Sequence, residues 1–279
     1  MTRYLPFLQL YRLDVALITF SSYLISALLS GDLMPSDLSA ALAISLISIN
    51  FVYTFNAWAD WGIDTINKSH RPIPSGQISP AAAYKYAMGL LLLSVAYPLL
   101  LTQQWEQLAL FWLLPLLGWL YSAPPLRLKR FPVFAVTTTG LILVMPTIIA
   151  LTIHEQCPDA ISYVVTLFLY CVSIIPLKDI EDQEGDRAYG IVNWSERFGE
   201  QRTLWGSMVG LSLTLLMALN MRVFIHFQIY LIFFIISTML TISGFMLLGG
   251  NIRKLYRSIV RIVAAEGLII FALLSMFRQ

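Results

Sequence analysis

An all-α fold, a multi-pass transmembrane helical bundle of nine spans with its active site at the cytoplasmic end, is what this sequence predicts. Three observations carry that expectation. The 279 residues are 58% hydrophobic and only 12% charged, with a mean hydropathy of +0.73, far from the average of a soluble domain. Nine apolar runs have roughly the length needed to cross about 30 Å of hydrocarbon. The 18 Lys and Arg residues segregate by side: with the N-terminus inside, sixteen fall on or near the inner face and only Arg222 and Arg278 outside. That is the bias expected of cytoplasmic loops.

In chain order the spans run near 11–30, 38–59, 83–101, 106–122, 132–153, 160–177, 203–219, 224–249 and 257–277. A span miscounted in the middle would scatter the later basic loops to the wrong face, so the charge bias supports the count. The N-terminus is expected in the cytoplasm and the C-terminus outside, in the cell inner (plasma) membrane, with residues 1–279 forming one membrane domain. The outer connections 31–37, 102–104 and 152–159 are short and carry no Lys or Arg, whereas the inner loops 60–82 and 178–202 are long and basic. Arg3, Arg12 and Asp14 interrupt the stretch that a secretory signal would keep apolar, so the first span reads as an anchor. Cys157 lies near the outer face and Cys171 mid-span, which argues against a disulfide. His70, His154 and His226 are dispersed and read as loop or interface residues. No glycine-rich nucleotide loop, Ser/His/Asp set or zinc spacing is present, and no nucleic-acid partner is expected.

Two acidic segments stand out against this background. Asn56, Asp60 and Asp64 recur every four residues, and Asp182 and Asp186 repeat that spacing with Asp179 one turn earlier. On helices each set falls along one face. The sets occupy the inner ends of the second and sixth spans, each ahead of a basic loop, which resembles a weak internal repeat. A carboxylate at membrane depth costs about 2.5–3.5 kcal/mol, so repeating it on one face calls for a compensating charge. A hard divalent cation, magnesium, held by Asn56, Asp60, Asp64, Asp179, Asp182 and Asp186, would supply it. Lys68, Arg71, Arg127, Lys129, Arg130, Lys178 and Arg187 gather in the same inner segments. Acids, cations and a divalent ion together suit a diphosphate, and the surrounding helices suit an apolar tail; a prenyl diphosphate has both parts.

Each signal has a plainer reading. An isolated pair of acids four residues apart at a helix end is usually a solvated face. Two such pairs abutting membrane spans and sharing basic loops outweigh that reading. Tyr121 alone would be an interface anchor; followed by Pro124, Pro125, Arg127 and Lys129 it reads as a phosphate contact. Arg12 reads equally as an interface charge or a site residue.

These segments resemble the UbiA-type intramembrane prenyltransferases across most of the chain. Asn56, Asp60 and Asp64 resemble that family's first aspartate motif, and Ile66-Asn-Lys-Ser-His-Arg71-Pro-Ile-Pro-Ser-Gly76 resembles the segment of chlorophyll synthases and digeranylgeranylglyceryl phosphate synthases. Tyr121-Ser-Ala-Pro-Pro-Leu-Arg127-Leu-Lys129-Arg130 is similar to its tyrosine-led basic loop. Lys178-Asp179-Ile-Glu-Asp182-Gln-Glu-Gly185-Asp186-Arg187 is similar to its second aspartate motif as it stands in homogentisate prenyltransferases. One position departs: residue 57 is Ala where the family usually has aspartate, and helix geometry turns it about 100° from Asn56.

The resemblance implies magnesium-dependent transfer of a prenyl group from a prenyl diphosphate to an aromatic or lipid acceptor. Asp60, Asp64, Asp182 and Asp186 would be catalytic, with Lys68, Arg71, Tyr121, Arg127, Lys129, Lys178 and Arg187 on the diphosphate. The first motif leans toward lipid or chlorophyll-type acceptors and the second toward homogentisate-type ones, so the acceptor stays open. A membrane terpene cyclase would use the same site without an acceptor. A divalent cation transporter would also use intramembrane acids, but it needs a path open at both faces, and these acids crowd one end beside repelling cations.

Overall fold

The nine predicted apolar runs appear in the computed structural model as nine long helices. They are α1 (Leu13–Ser30), α2 (Pro35–Ala59), α3 (Pro80–Leu101), α4 (Trp105–Ser122), α5 (Pro132–His154), α6 (Ala160–Ala188), α7 (Glu200–Asn220), α8 (Ile225–Leu247) and α9 (Leu255–Phe277). The structure describes residues 5–154, 157, 159–221, 225–249 and 251–277, and no strand occurs among them. Arg3, Arg222, Arg278 and the side chain of His226 lie outside the described residues. Proline in the first turn opens α2, α3 and α5, where its missing N–H is not needed. Ser79 caps α3 by accepting from the Ala82 amide at 3.2 Å.

Among the described residues, eight helices are long and apolar enough to cross a membrane. The difference from the nine expected spans falls on α4, which has 18 residues and opens on Trp105, Glu106 and Gln107. Its polar first turn makes it less apolar, yet it runs from one end of the bundle to the other. Its first half meets the second half of α3 through Trp112 Nε1 and the Val95 carbonyl, and its last residue, Ser122, accepts a bond from Asn56 at the acidic end.

Helix α1 lies against α2, α5 and α9, while α4, α5, α6, α7, α8 and α9 follow one another as neighbours and α3 flanks α2 and α4. Tyr23, Phe51, Phe55, Phe111, Leu114 and Met145 are fully buried within, and Phe55 stacks between Phe51 and Trp119. Gly118 lets α4 close on α2: a Cβ there would sit 2.5 Å from Val52 Cγ2, the close approach by which membrane helices gain dispersion contacts where lipid removes the hydrophobic drive. Outward, Leu92, Leu100, Phe233 and Leu240 are well exposed, as a lipid-facing surface requires.

Two expected inner loops are partly helical. Residues 178–202 do not form a loop from their start: α6 continues through Pro176 to Ala188. Pro176 stands at the first turn of that continuation, where no amide donor is lost. A short helix, Trp194–Phe198, follows, capped by Asn193 accepting from the Glu196 amide. Residues 60–82 likewise begin with a helix, Trp61–Asn67. Cys157 and Cys171 form no disulfide. His154 is not a loop residue; it is buried against Asp37, with Nε2 to Oδ1 at 3.0 Å.

Candidate active site

The first acid set straddles a helix break. Asp60 ends α2 at φ −107°, ψ 7°, but the four-residue hydrogen bonds continue across it, Asp60 N to Asn56 O at 2.9 Å and Asp64 N to Asp60 O at 2.8 Å. Asn56, Asp60 and Asp64 therefore keep a common face. The second set lies on the unbroken second half of α6. Both face one cavity, lined by Asn56, Asp60, Asp64, Asp179, Asp182 and Asp186 together with Arg12, Lys68, Arg71, Tyr121, Lys129 and Lys178.

Each acid in that cavity has a defined partner. Asp60 receives Arg127 Nη2 at 3.0 Å and the Lys129 ammonium on the same oxygen, while Asn56 Nδ2 donates to its other oxygen at 2.8 Å. Asp64 pairs with Arg71 at 2.8 Å. Asp182 pairs with Lys68 and lies 3.8 Å from Lys178. Asp179 accepts the Trp194 amide at 2.9 Å and Asp186 accepts Asn193 Nδ2 at 3.0 Å. Burial drives the Lys68 and Lys129 ammonium groups below the usual lysine range, with the facing carboxylates Asp182 and Asp60 opposing that shift. Among the described residues no three acids converge tightly enough to grip a metal ion by themselves.

Arg127 reaches Asp60 from a left-handed backbone, φ 39°, ψ 61°. An Arg in that region is uncommon, and strained conformations tend to be kept where a side chain must be aimed. Arg187 goes elsewhere. Its guanidinium, 71% exposed, pairs with Glu196 at 2.8 Å; position 187 lies one residue past Asp186 on the helix, about 100° round from it, which turns it from the cavity. Ala57 is also a lining residue, packed with Leu10, Ile73, Ile78 and Ala83, so its rotation from Asn56 still leaves it at the cavity wall.

Four residues not singled out in the sequence complete the site. Asn67 ties the two acidic segments together, donating to the Asp182 carbonyl at 2.9 Å and accepting the Gly185 amide at 2.7 Å. A Cβ at Gly185 would meet the Asn67 side chain at 2.5–2.8 Å, so glycine is what the clamp admits. Asn193 holds Asp186 and the Asp179 carbonyl. Tyr53 lines both the polar cavity and a neighbouring apolar one, with Arg12 over its ring at 5.5 Å. Its spacing three residues before Asn56 was a usable signal. Tyr256, on α9, lines the apolar cavity as well, and nothing in its sequence context points to it.

The apolar cavity lies among α1, α5, α6, α8 and α9 and encloses about 110 Å³, walled by Ile18, Leu143, Leu167, Phe234 and Val263 among others. Arg12 is a site residue by position: it lines the acid-bearing cavity and binds Asp14 through two nitrogens at 2.9 and 3.0 Å.

Fold and site together define a multi-pass integral membrane protein with a charged cavity at one end of its bundle, beside an apolar one. The chain belongs to the UbiA prenyltransferase family, whose profile it matches over residues 15–262, and so joins a family of prenyltransferases. It is 28% identical over 214 residues to homogentisate phytyltransferase from Synechocystis sp., covering 71% of this chain and 68% of that one. It is 26% identical over 276 residues to digeranylgeranylglyceryl phosphate synthase from Methanobrevibacter smithii, covering 95% of each. Against three other curated relatives the matched stretch takes in only 41%, 57% and 47% of their lengths. In fold it is similar to a UbiA homolog from Archaeoglobus fulgidus bound to GPP and Mg2+, with a TM-score of 0.76 and 21% identity over 96% of this chain and 99% of that one.

Proposed function

We propose that this chain transfers a prenyl group from a prenyl diphosphate to an aromatic or lipid acceptor within the membrane, with magnesium as cofactor. The observation that carries the reading is the junction at Tyr53, where a cavity lined by both acid sets and their cations adjoins an apolar cavity inside the bundle. A diphosphate and an apolar tail need those two environments side by side. The donor set fits magnesium, which takes a few carboxylates plus phosphate oxygens and keeps some waters. Asn56, Asp60, Asp64, Asp179, Asp182 and Asp186 would hold it, and because no acid triad is preformed the ion is expected to arrive with the diphosphate. Bound there, it supplies Lewis-acid stabilisation of the leaving group.

The chain's own side chains account for the rest. Lys68, Arg71, Arg127, Lys129 and Lys178 neutralise the remaining phosphate oxygens, with Tyr121 beside them on the cavity wall. The relatives' names, homogentisate phytyltransferase and digeranylgeranylglyceryl phosphate synthase, support a transfer reaction with acceptors of either kind. The apolar cavity excludes water from an allylic cation, and the Tyr53 ring offers cation–π attraction of about 0.5–2 kcal/mol. The charged end is assigned to the cytoplasmic face on the bias of basic residues. A single cysteine replacing exposed Ser75 should then label only from inside, and one replacing exposed Ser36 only from outside.

The reading is tested by incubating purified protein with magnesium, prenyl diphosphates of several lengths and a panel of acceptors, with mass spectrometry of the products. Prenylated acceptor is expected, and chelation of magnesium should stop its formation. Conversion of prenyl diphosphate to a cyclic hydrocarbon without acceptor would replace transfer by cyclisation.

A further inference from the structure

The acid-bearing end of α6 is tied down on its far side as well. Asp179, Asp182 and Asp186 line the cavity shared by both acid sets. Glu181 and Glu184, three residues apart on another face of the same helix, pair with Arg257 in α9 and with Arg253 just ahead of it. The two pairs differ in weight. Glu184 and Arg253 are 66% and 58% exposed and meet at one contact of 3.0 Å, so solvent screens them. The Glu181 side chain is only 9% exposed and takes Arg257 through two nitrogens, Nε at 3.0 Å and Nη2 on its other oxygen. A two-point contact between guanidinium and carboxylate fixes direction as well as distance.

Neither Glu181 nor Arg257 lines the acid-bearing cavity, so the pair acts on that cavity through the helix it holds. Glu181 immediately precedes Asp182, about 100° round the helix from it. Side chains end about 5–6 Å from a helix axis, so a turn of about 20° would carry the Asp182 carboxylate sideways by about 2 Å. That is a whole magnesium–oxygen bond, about 2.0–2.1 Å. The Asn67 clamp holds this helix to the first acidic segment but holds neither of them to α9. Arg257 makes that link, one residue after Tyr256, in the helix whose Val260 and Val263 also wall the apolar cavity. Resting on the magnesium reading, we infer that Arg257 is a positioning residue: through Glu181 it sets the rotation at which the end of α6 presents Asp182 and Asp186 to a magnesium diphosphate.

The experiment measures how far magnesium, added with inorganic diphosphate, raises the thermal unfolding midpoint of the detergent-solubilised protein, and in parallel the magnesium concentration for half-maximal transfer. Arg257→Ala and Glu181→Gln should each shift both magnesium responses to concentrations about ten- to hundredfold higher, as loss of a group that orients a metal ligand does. The midpoint without ligand should stay within about 4 °C of wild type. Arg257→Lys keeps the charge without the two-point contact and should lose less than Arg257→Ala. The reversed pair, Glu181→Arg with Arg257→Glu, should regain most of the response that either reversal alone removes. Arg253→Ala, at the screened pair, should stay within about twofold of wild type. An unchanged magnesium response in Glu181→Gln, which keeps the side chain's shape, would overturn the inference and leave the magnesium reading standing. So would a reversed pair no better than Arg257→Glu alone, since Arg257 would then act on the diphosphate itself. A wild-type protein whose midpoint and rate ignore magnesium would overturn the magnesium reading and this inference with it.

Discussion

Asp37 and Asp60 are both carboxylates in the interior of the bundle, at its opposite ends, and their surroundings differ in kind. Asp37 is 1% exposed and accepts from the Met34 amide at 2.8 Å and the Tyr23 hydroxyl at 3.2 Å, with His154 Nε2 at 3.0 Å. These contacts join α1, α2 and α5 and leave little for a ligand to do. Asp60 faces a cavity and shares one oxygen between Arg127 and Lys129, with Asp64, Asp182 and their cations lining the same cavity. The contrast shows that burial of an acid does not by itself mark chemistry. A hydrogen-bonded acid locked between elements is structural; acids and cations facing one cavity can exchange partners for a ligand's charges.

The largest effect should come from Asp60→Asn or Asp182→Asn, which remove an anionic metal ligand while keeping shape. Turnover is expected to fall below detection with the thermal unfolding midpoint of the detergent-solubilised protein little changed. Near-normal turnover of Asp60→Asn at saturating magnesium would sink the coordination proposed here.

Removing a cation comes next. Lys129→Ala or Arg71→Ala deletes a charge-assisted contact worth about 1.5–3 kcal/mol, or about ten- to hundredfold in kcat/KM. The loss should be the same for every prenyl chain length and every acceptor, because the contact is to the shared headgroup; a strong dependence on acceptor would move that residue to the acceptor side.

Asp37→Ala should do the reverse of Asp60→Asn. Stranding the Tyr23 and Met34 donors is expected to cost about 1–3 kcal/mol of stability, read from unfolding in detergent, while turnover per folded molecule stays within about threefold. A collapse of turnover in a well-folded Asp37→Ala protein would erase the distinction between the two ends. The smallest effect belongs to Ala57→Asp, which supplies the acid other members of the family usually carry. Since residue 57 packs among Leu10, Ile73 and Ala83, the magnesium concentration for half-maximal rate should move by less than about threefold; a shift of tenfold or more would make position 57 a ligand position.

Helical spans, the end of the bundle that carries charge and the face shared by each acid set were all legible in the sequence, because hydropathy, loop charge and four-residue spacing are local properties. So were Lys68, Arg71, Tyr121, Lys129 and Lys178 as neighbours of those acids. Arg187, from the same motif as Lys178, does not line their cavity and pairs with Glu196 instead, because motif membership does not say which way a helix turns a side chain. The break at Asp60 and the helical run through Pro176 depend on what each segment packs against.

Only the tertiary structure decided which distant groups meet. Asn67 finds Gly185 across 118 residues, His154 finds Asp37 across 117, and Tyr256 closes a cavity begun by Tyr53. Membrane helices are apolar nearly all round, so their sequences mark the lipid-crossing segment but not the rotation or neighbour of each. Close packing at positions such as Gly118 and Gly267 sets those choices, and with them the two adjoining cavities.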